Sequence, residues 1–144
     1  METAARSLGL RLQVFSASRV EELDGVFGAA KKAGAGALIP LASGVFTAHR
    51  RRLVDLAEQN RLVAVYEHRD FVDARDLLSY GPNFEVLDRG AARYVDKILR
   101  GAKLADLPIE QPTTFELVIN MKTAKALGIT IPQSILVRAD RVIE

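Results

Sequence analysis

The chain has 144 residues, a formal net charge of +2 at pH 7 and no cysteine. That length fits one domain with a sizeable core and needs no staple; the missing thiols exclude disulfides and thiolate metal sites. The basic surplus is too small and too dispersed for a nucleic-acid surface, and no apolar run reaches the roughly 18 residues of a membrane span.

Residues 1–8 read as a helix ended by Gly9, with Ala4, Ala5 and Leu8 on its buried side. Leu10, Leu12 and Val14 alternate with Arg11 and Gln13, which is the period of a strand. Ser18 and Glu21 have capping-box spacing. Val20, Leu23, Phe27 and Ala30 form the helical stripe that follows, stopped at Gly34. Residues 37–41 are a short apolar run of the buried-strand kind, with Pro40 near its end. Ser43 and Gly44 open the next helix. Phe46, Leu53, Leu56 and Ala57 face inward; Arg50, Arg51 and Glu58 face out. Residues 62–66 are a second apolar strand, and 71–76 a turn or short helical piece. Residues 77–80 make a short strand that Gly81-Pro82 ends.

The strongest helical signal comes next. Leu87, Ala91, Tyr94 and Ile98 share one face, widened by Val95 and Leu99. Asn83 caps the start and Glu85 complements the positive end of the helix dipole. Lys97 and Arg100 sit in the last turn, and Gly101 closes it. Residues 107–112 are extended and pinned by two prolines. Residues 115–121 read as a strand, and 122–127 as a short helix stopped by Gly128. Residues 132–143 show weak helical spacing at Ile135, Val137, Ala139 and Val142. Alternating elements of these lengths predict a three-layer α/β/α fold with a mainly parallel sheet.

In open parallel sheets, ligands bind beyond the carboxyl ends of the strands. Three such ends supply the candidate ligand-binding residues. Ser43 and Gly44 offer a hydroxyl and free backbone N–H groups to a carboxylate, unless Ser43 only caps its own helix. Tyr66 opens the segment Tyr66-Glu67-His68-Arg69; it either stacks on an aromatic solute or packs into the core. Ser79, Tyr80 and Gly81 form the third end, where Gly81 serves a ligand or a tight turn.

No catalytic constellation accompanies them. His49 and His68 lack the spacing of a metal pair, so no metal is expected. There is no GxSxG serine and no thiol nucleophile. The glycines at 25, 28, 34 and 36 make no dinucleotide loop. Asp70, Asp73 and Asp76 beside Arg69 and Arg75 read as a self-paired surface. His49-Arg50-Arg51-Arg52 spreads around its helix as a solvated face. The expectation is a protein that binds without catalysis and uses no cofactor.

Four segments carry a resemblance: SYGP at 79–82, AARYVDKILRGAK at 91–103, LPIEQPTTFELVIN at 107–120 and MKTAKALGITIP at 121–132. In this order and spacing, they resemble the closing part of the periplasmic solute-binding proteins of ABC importers, of the tryptophan/tyrosine type. The likeness covers roughly residues 34–144. It implies one lobe of a type I periplasmic-binding-protein-like fold over 1–144, with 77–144 as crossover segments and without a first lobe or opening strand. It places Ser79, Tyr80 and Gly81 near a hinge and cleft. The implied role is the substrate-binding component, or an isolated lobe, of an ABC transporter; it would hold a small polar solute such as an amino acid and dock to a permease. The alternative is a truncated remnant that self-associates and carries no transport ligand. An unpaired sheet edge leads to the expectation of a homodimer. The resemblance implies a periplasmic location. Residues 1–9 lack the apolar core of a leader, which implies the cytoplasm if Met1 is the true start. The chain departs from the family pattern at Arg75 and Asp76, which replace glycines, and at Val63, which replaces a proline.

Overall fold

A computed structural model describes all residues, 1–144. The chain forms two compact units, Met1–Ala64 and Val65–Glu144.

The first unit contains α1 (Glu2–Ser7), α2 (Leu23–Lys32), β1 (Ala37–Leu38), α3 (Gly44–Ala48) and α4 (Arg50–Asn60). It ends in the first half of β2 (Val63–Tyr66). Its core joins Leu23, Phe27 and Ala30 of α2 to Leu53, Val54, Leu56 and Ala57 of α4. These are the stripes that helical periodicity picks out. Arg52 and Asp24 pair at 2.5 Å between the same two helices. β1 runs parallel to β2, with Ala37 opposite Val63.

Several expectations are corrected in this unit. α1 forms but buries no residue, and Leu8 is exposed. Residues 10–14 form no strand; Leu10, Leu12 and Val14 stay exposed, and Arg11 donates a side-chain hydrogen bond to the Ala33 carbonyl at 3.1 Å. Alternation makes a strand only where a ladder partner is in reach. The acid that closes the turn before α2 is Glu22, not Glu21: its carboxylate accepts from the Ser18 N–H at 2.8 Å. β1 is only two residues long, and Ile39 and Leu41 beyond it are exposed. The helix expected from Ser43 is broken at His49 into α3 and α4.

The second unit holds the rest of β2, then α5 (Asp70–Asp73), β3 (Leu78–Pro82), α6 (Phe84–Leu99), β4 (Phe115–Asn120), α7 (Met121–Leu127), α8 (Gln133–Leu136) and β5 (Arg141–Ile143). β3 is parallel to β2, β4 antiparallel to β3, and β5 parallel to β4. The sheet is five-stranded in the order β1-β2-β3-β4-β5, mixed but mostly parallel, and the class is α/β. Tyr66, Phe71, Val72, Leu77, Val118, Ile119 and Ala124 are buried here.

Asn83 caps α6 as expected, its Oδ1 accepting from the Val86 N–H at 3.2 Å. Asn120 caps α7 in the same way through Lys122 and Thr123. The apolar stripe of α6 is not buried, however. Gly90 alone is, and Val95, Ile98 and Leu99 are exposed. Gly81 and Pro82 lie inside β3 rather than ending it. β3 and β4 pair through Gly81↔Glu116 and Pro82↔Phe115, so non-local pairing overrides the local turn signal. Residues 132–143 are not one weak helix; they contain α8 and then β5, whose ladder with β4 is equally non-local. Arg75 takes a left-handed φ of 81°, and Asp76 is buried with Oδ1 accepting from the Leu77 N–H at 2.5 Å.

Candidate functional site: a polar cavity beyond the strand ends of the second unit

A cavity of about 180 Å³ opens beyond the carboxyl ends of β2 and β3. Its wall is built from three stretches of the second unit. The loop leaving β2 gives Glu67, His68, Arg69 and Asp70. β3 gives Ser79, Gly81 and Pro82. The cap and first turns of α6 give Asn83, Phe84, Glu85 and Asp88, and Glu116 of β4 completes it.

Strand alternation turns Ser79 and Gly81 to one face of β3, and Pro82 joins them in the wall at the strand's end. Ser79 and Gly81 lie on the buried face, while Leu78, Tyr80 and Pro82 are less buried on the other. Ser79 is 2% exposed, lines the cavity, and its hydroxyl has no hydrogen-bond partner in the protein. Gly81 packs so closely on the Glu67 backbone carbonyl that a Cβ would overlap it. Glycine is required here by close approach, not by a turn.

The wall carries five carboxylates, Glu67, Asp70, Glu85, Asp88 and Glu116, against one arginine. Arg69 reaches Glu85 at 2.6 Å and Glu116 at 3.7 Å. The Glu85 carboxylate, then Glu116, hold the guanidinium firmly protonated by raising its pKa. Asn83 donates from Nδ2 to Glu116 at 3.1 Å, so one side chain both caps α6 and fixes a wall carboxylate. The His68 ring stacks on Phe84 at 4.4 Å, and its Nδ1 accepts the Asp70 N–H at 3.2 Å. No three histidine or carboxylate side chains converge as a metal-binding group.

The six sequence candidates are not equivalent in this light. Ser79 and Gly81 line the cavity. Tyr80 sits on the opposite strand face, half exposed and stacked on Phe115 at 5.8 Å. Tyr66 is register partner of Ser79, but it is 1% exposed and its ring lies flat on Phe71 at 4.1 Å, which places it in the core. Burial first, then the neighbouring Asp76 carboxylate, push its hydroxyl pKa far up. Ser43 and Gly44 belong to the first unit. Ser43 is the N-cap residue of α3, but its side chain makes no capping bond.

Sequence reasoning named the segment 66–69 but singled out only Tyr66 within it, and it missed Asn83, Phe84, Glu85, Asp88 and Glu116 as wall residues. Most of them immediately follow the end of β2 or β3, a position that signals a site in a parallel sheet. Glu116 had no such signal; only the β3–β4 register brings it in.

The sequence profile for ABC transporter substrate binding proteins matches residues 1–143. The chain belongs to this family. No curated relative matches it. Among solved structures, an ABC domain from Streptococcus pneumonia in complex with L-Trp is 25% identical with a TM-score of 0.90; the match covers 98% of this chain and 48% of that one. A conserved domain protein from Vibrio cholerae is 23% identical with a TM-score of 0.89, covering 98% and 47%. The ligand-free, open form of a substrate binding protein with adhesive properties from Clostridium difficile is 18% identical with a TM-score of 0.66, covering 99% and 47%. The chain therefore spans about half the length of the solved structures it matches. In this ABC substrate-binding family member, the α/β sheet leaves its polar cavity at the strand ends, and no helix is long and apolar enough to cross a membrane.

Proposed function

We propose that this chain is the solute-binding component of an ABC importer, or one lobe of it, and that it captures a small polar solute such as an amino acid without chemically changing it. The observation that carries the proposal is the cavity at the carboxyl ends of β2 and β3, in a chain of the substrate-binding family. The L-Trp bound by the Streptococcus relative supports an amino acid as the class. Ser79 and Gly81 contact the solute from β3, with the His68–Phe84 pair offering it a flat apolar surface. Ser43 and Gly44, at the start of α3, are a separate candidate contact in the first unit. Tyr66 and Tyr80 support the site from the core and from the outer strand face. The partner is a membrane permease, met in the periplasm.

A second reading, self-association of a remnant as a homodimer, is favoured by the exposed stripe of α6 at Val95, Ile98 and Leu99. Sedimentation of the chain across a wide concentration range tests it; a monomer throughout excludes it.

A thermal-shift screen with amino acids and small acids tests the first reading. A true ligand stabilises by RT ln(1 + [L]/Kd), about 2.7 kcal/mol at a hundredfold excess over Kd. No stabilisation by any compound at millimolar concentration contradicts it.

A further inference from the structure

The cavity wall contains one feature that solute binding in general does not require. Its charge is one-sided, and the charge is only partly used. Arg69, the sole permanent cation, is engaged by Glu85 and Glu116. Glu67 and Asp88 line the same space and form no ion pair. Ser79 is the only buried side chain among them, and its hydroxyl has no partner within the protein. A buried polar group of this kind is normally satisfied, so it marks where a ligand atom belongs.

We propose that the cavity holds its solute by a protonated amine, which donates to the Ser79 hydroxyl and is neutralised by Glu67 and Asp88. This rests on the solute-binding reading and names the group that is recognised. An anionic headgroup fits poorly, because it would face the surplus carboxylates while the one guanidinium is already taken. The first turn of α6 does not rescue it: Asn83 satisfies the Val86 N–H, and Glu85 occupies the positive end of the dipole. A metal cation fits no better, since the acids do not converge as ligands. A volume of about 180 Å³ lies below the roughly 300–1,000 Å³ of pockets that enclose a whole drug-sized ligand. It suits a headgroup, with the remainder of the solute outside.

The test is calorimetry on the 144-residue chain with three matched sets: amino acids, their decarboxylated amines such as tryptamine, and their deaminated acids such as indole-3-propionate. Amines are expected to bind within about tenfold of the parent amino acids, and the deaminated acids at least about a hundredfold more weakly. Ser79→Ala weakens the amines about tenfold. Asp88→Asn, at an exposed position with no ion pair to lose, weakens them about threefold and reduces their salt dependence. Deaminated acids binding as tightly as the amines, or amines indifferent to both substitutions, overturn the inference and leave the solute-binding reading standing. Failure of all three sets to bind overturns both.

Discussion

Gly81 of β3 rests directly on the backbone carbonyl of Glu67, in the loop that leaves β2, with no room for a single added carbon. Both residues line the cavity, so this contact sets the spacing between two of its walls. A methyl group at 81 must displace backbone rather than a flexible side-chain end. Gly81→Ala is expected to destabilise the chain by about 1–3 kcal/mol, the usual cost of overpacking, and to weaken solute binding with it. Urea unfolding measures the first effect; an unchanged midpoint contradicts the assignment.

Arg75 shows the opposite relationship. Its φ of 81° lies in the left-handed region, its side chain is exposed, and its carbonyl accepts from the Thr123 hydroxyl at 2.8 Å. The substitution Arg75→Gly keeps that hydrogen bond and removes the steric cost of the side chain. It is expected to stabilise by about 1 kcal/mol, read as a rise in thermal midpoint. A fall shows that the arginine makes a contribution larger than its strain.

Glu22 gives a pH signature. Hydrogen bonds from the Ser18 N–H first, then Arg19, lower its pKa from the ordinary 4.5. A carboxylate with a depressed folded pKa contributes stability above its unfolded value, and that contribution is lost as pH falls through the folded pKa. Glu22→Gln should therefore be less stable than the native chain at pH 7, with the gap closing on acidification below about pH 4.5. Denaturant melts of both proteins at pH 7 and pH 3 check this; a gap that widens in acid is inconsistent with it.

Asn83 joins a helix cap to the cavity wall through its two amide atoms. Asn83→Ala is expected to cost about 1 kcal/mol of stability. Asn83→Asp keeps the cap acceptor but sets a carboxylate against Glu116, so it should retain the cap yet gain part of that cost back as repulsion. Thermal denaturation ranks the three chains; an alanine variant as stable as the native one removes the cap from the account.

Much of the fold was legible because local rules decided it. The α2 and α4 stripes, the Asn83 cap and the Gly128 stop each follow from residues within one or two turns, and the structure keeps them. What failed was non-local. The extension of β3 through Gly81-Pro82 and the tail strand β5 both depend on ladders with β4. The strand expected at residues 10–14 had the right alternation but no ladder. The site followed the same division. Strand ends pointed to Ser79 and Gly81, but the choice between Tyr66 as ligand platform and as core required its burial against Phe71. Glu116 could not be anticipated without the antiparallel register.

Mapping bound solute onto the chain is the decisive measurement. In ¹H–¹⁵N spectra titrated with the amino acids, saturable shifts are expected at Glu67–Asp70, Ser79–Gly81 and Asn83–Asp88. Spectra that do not change with any of them, or shifts confined to segments away from this cavity, would contradict the proposed site.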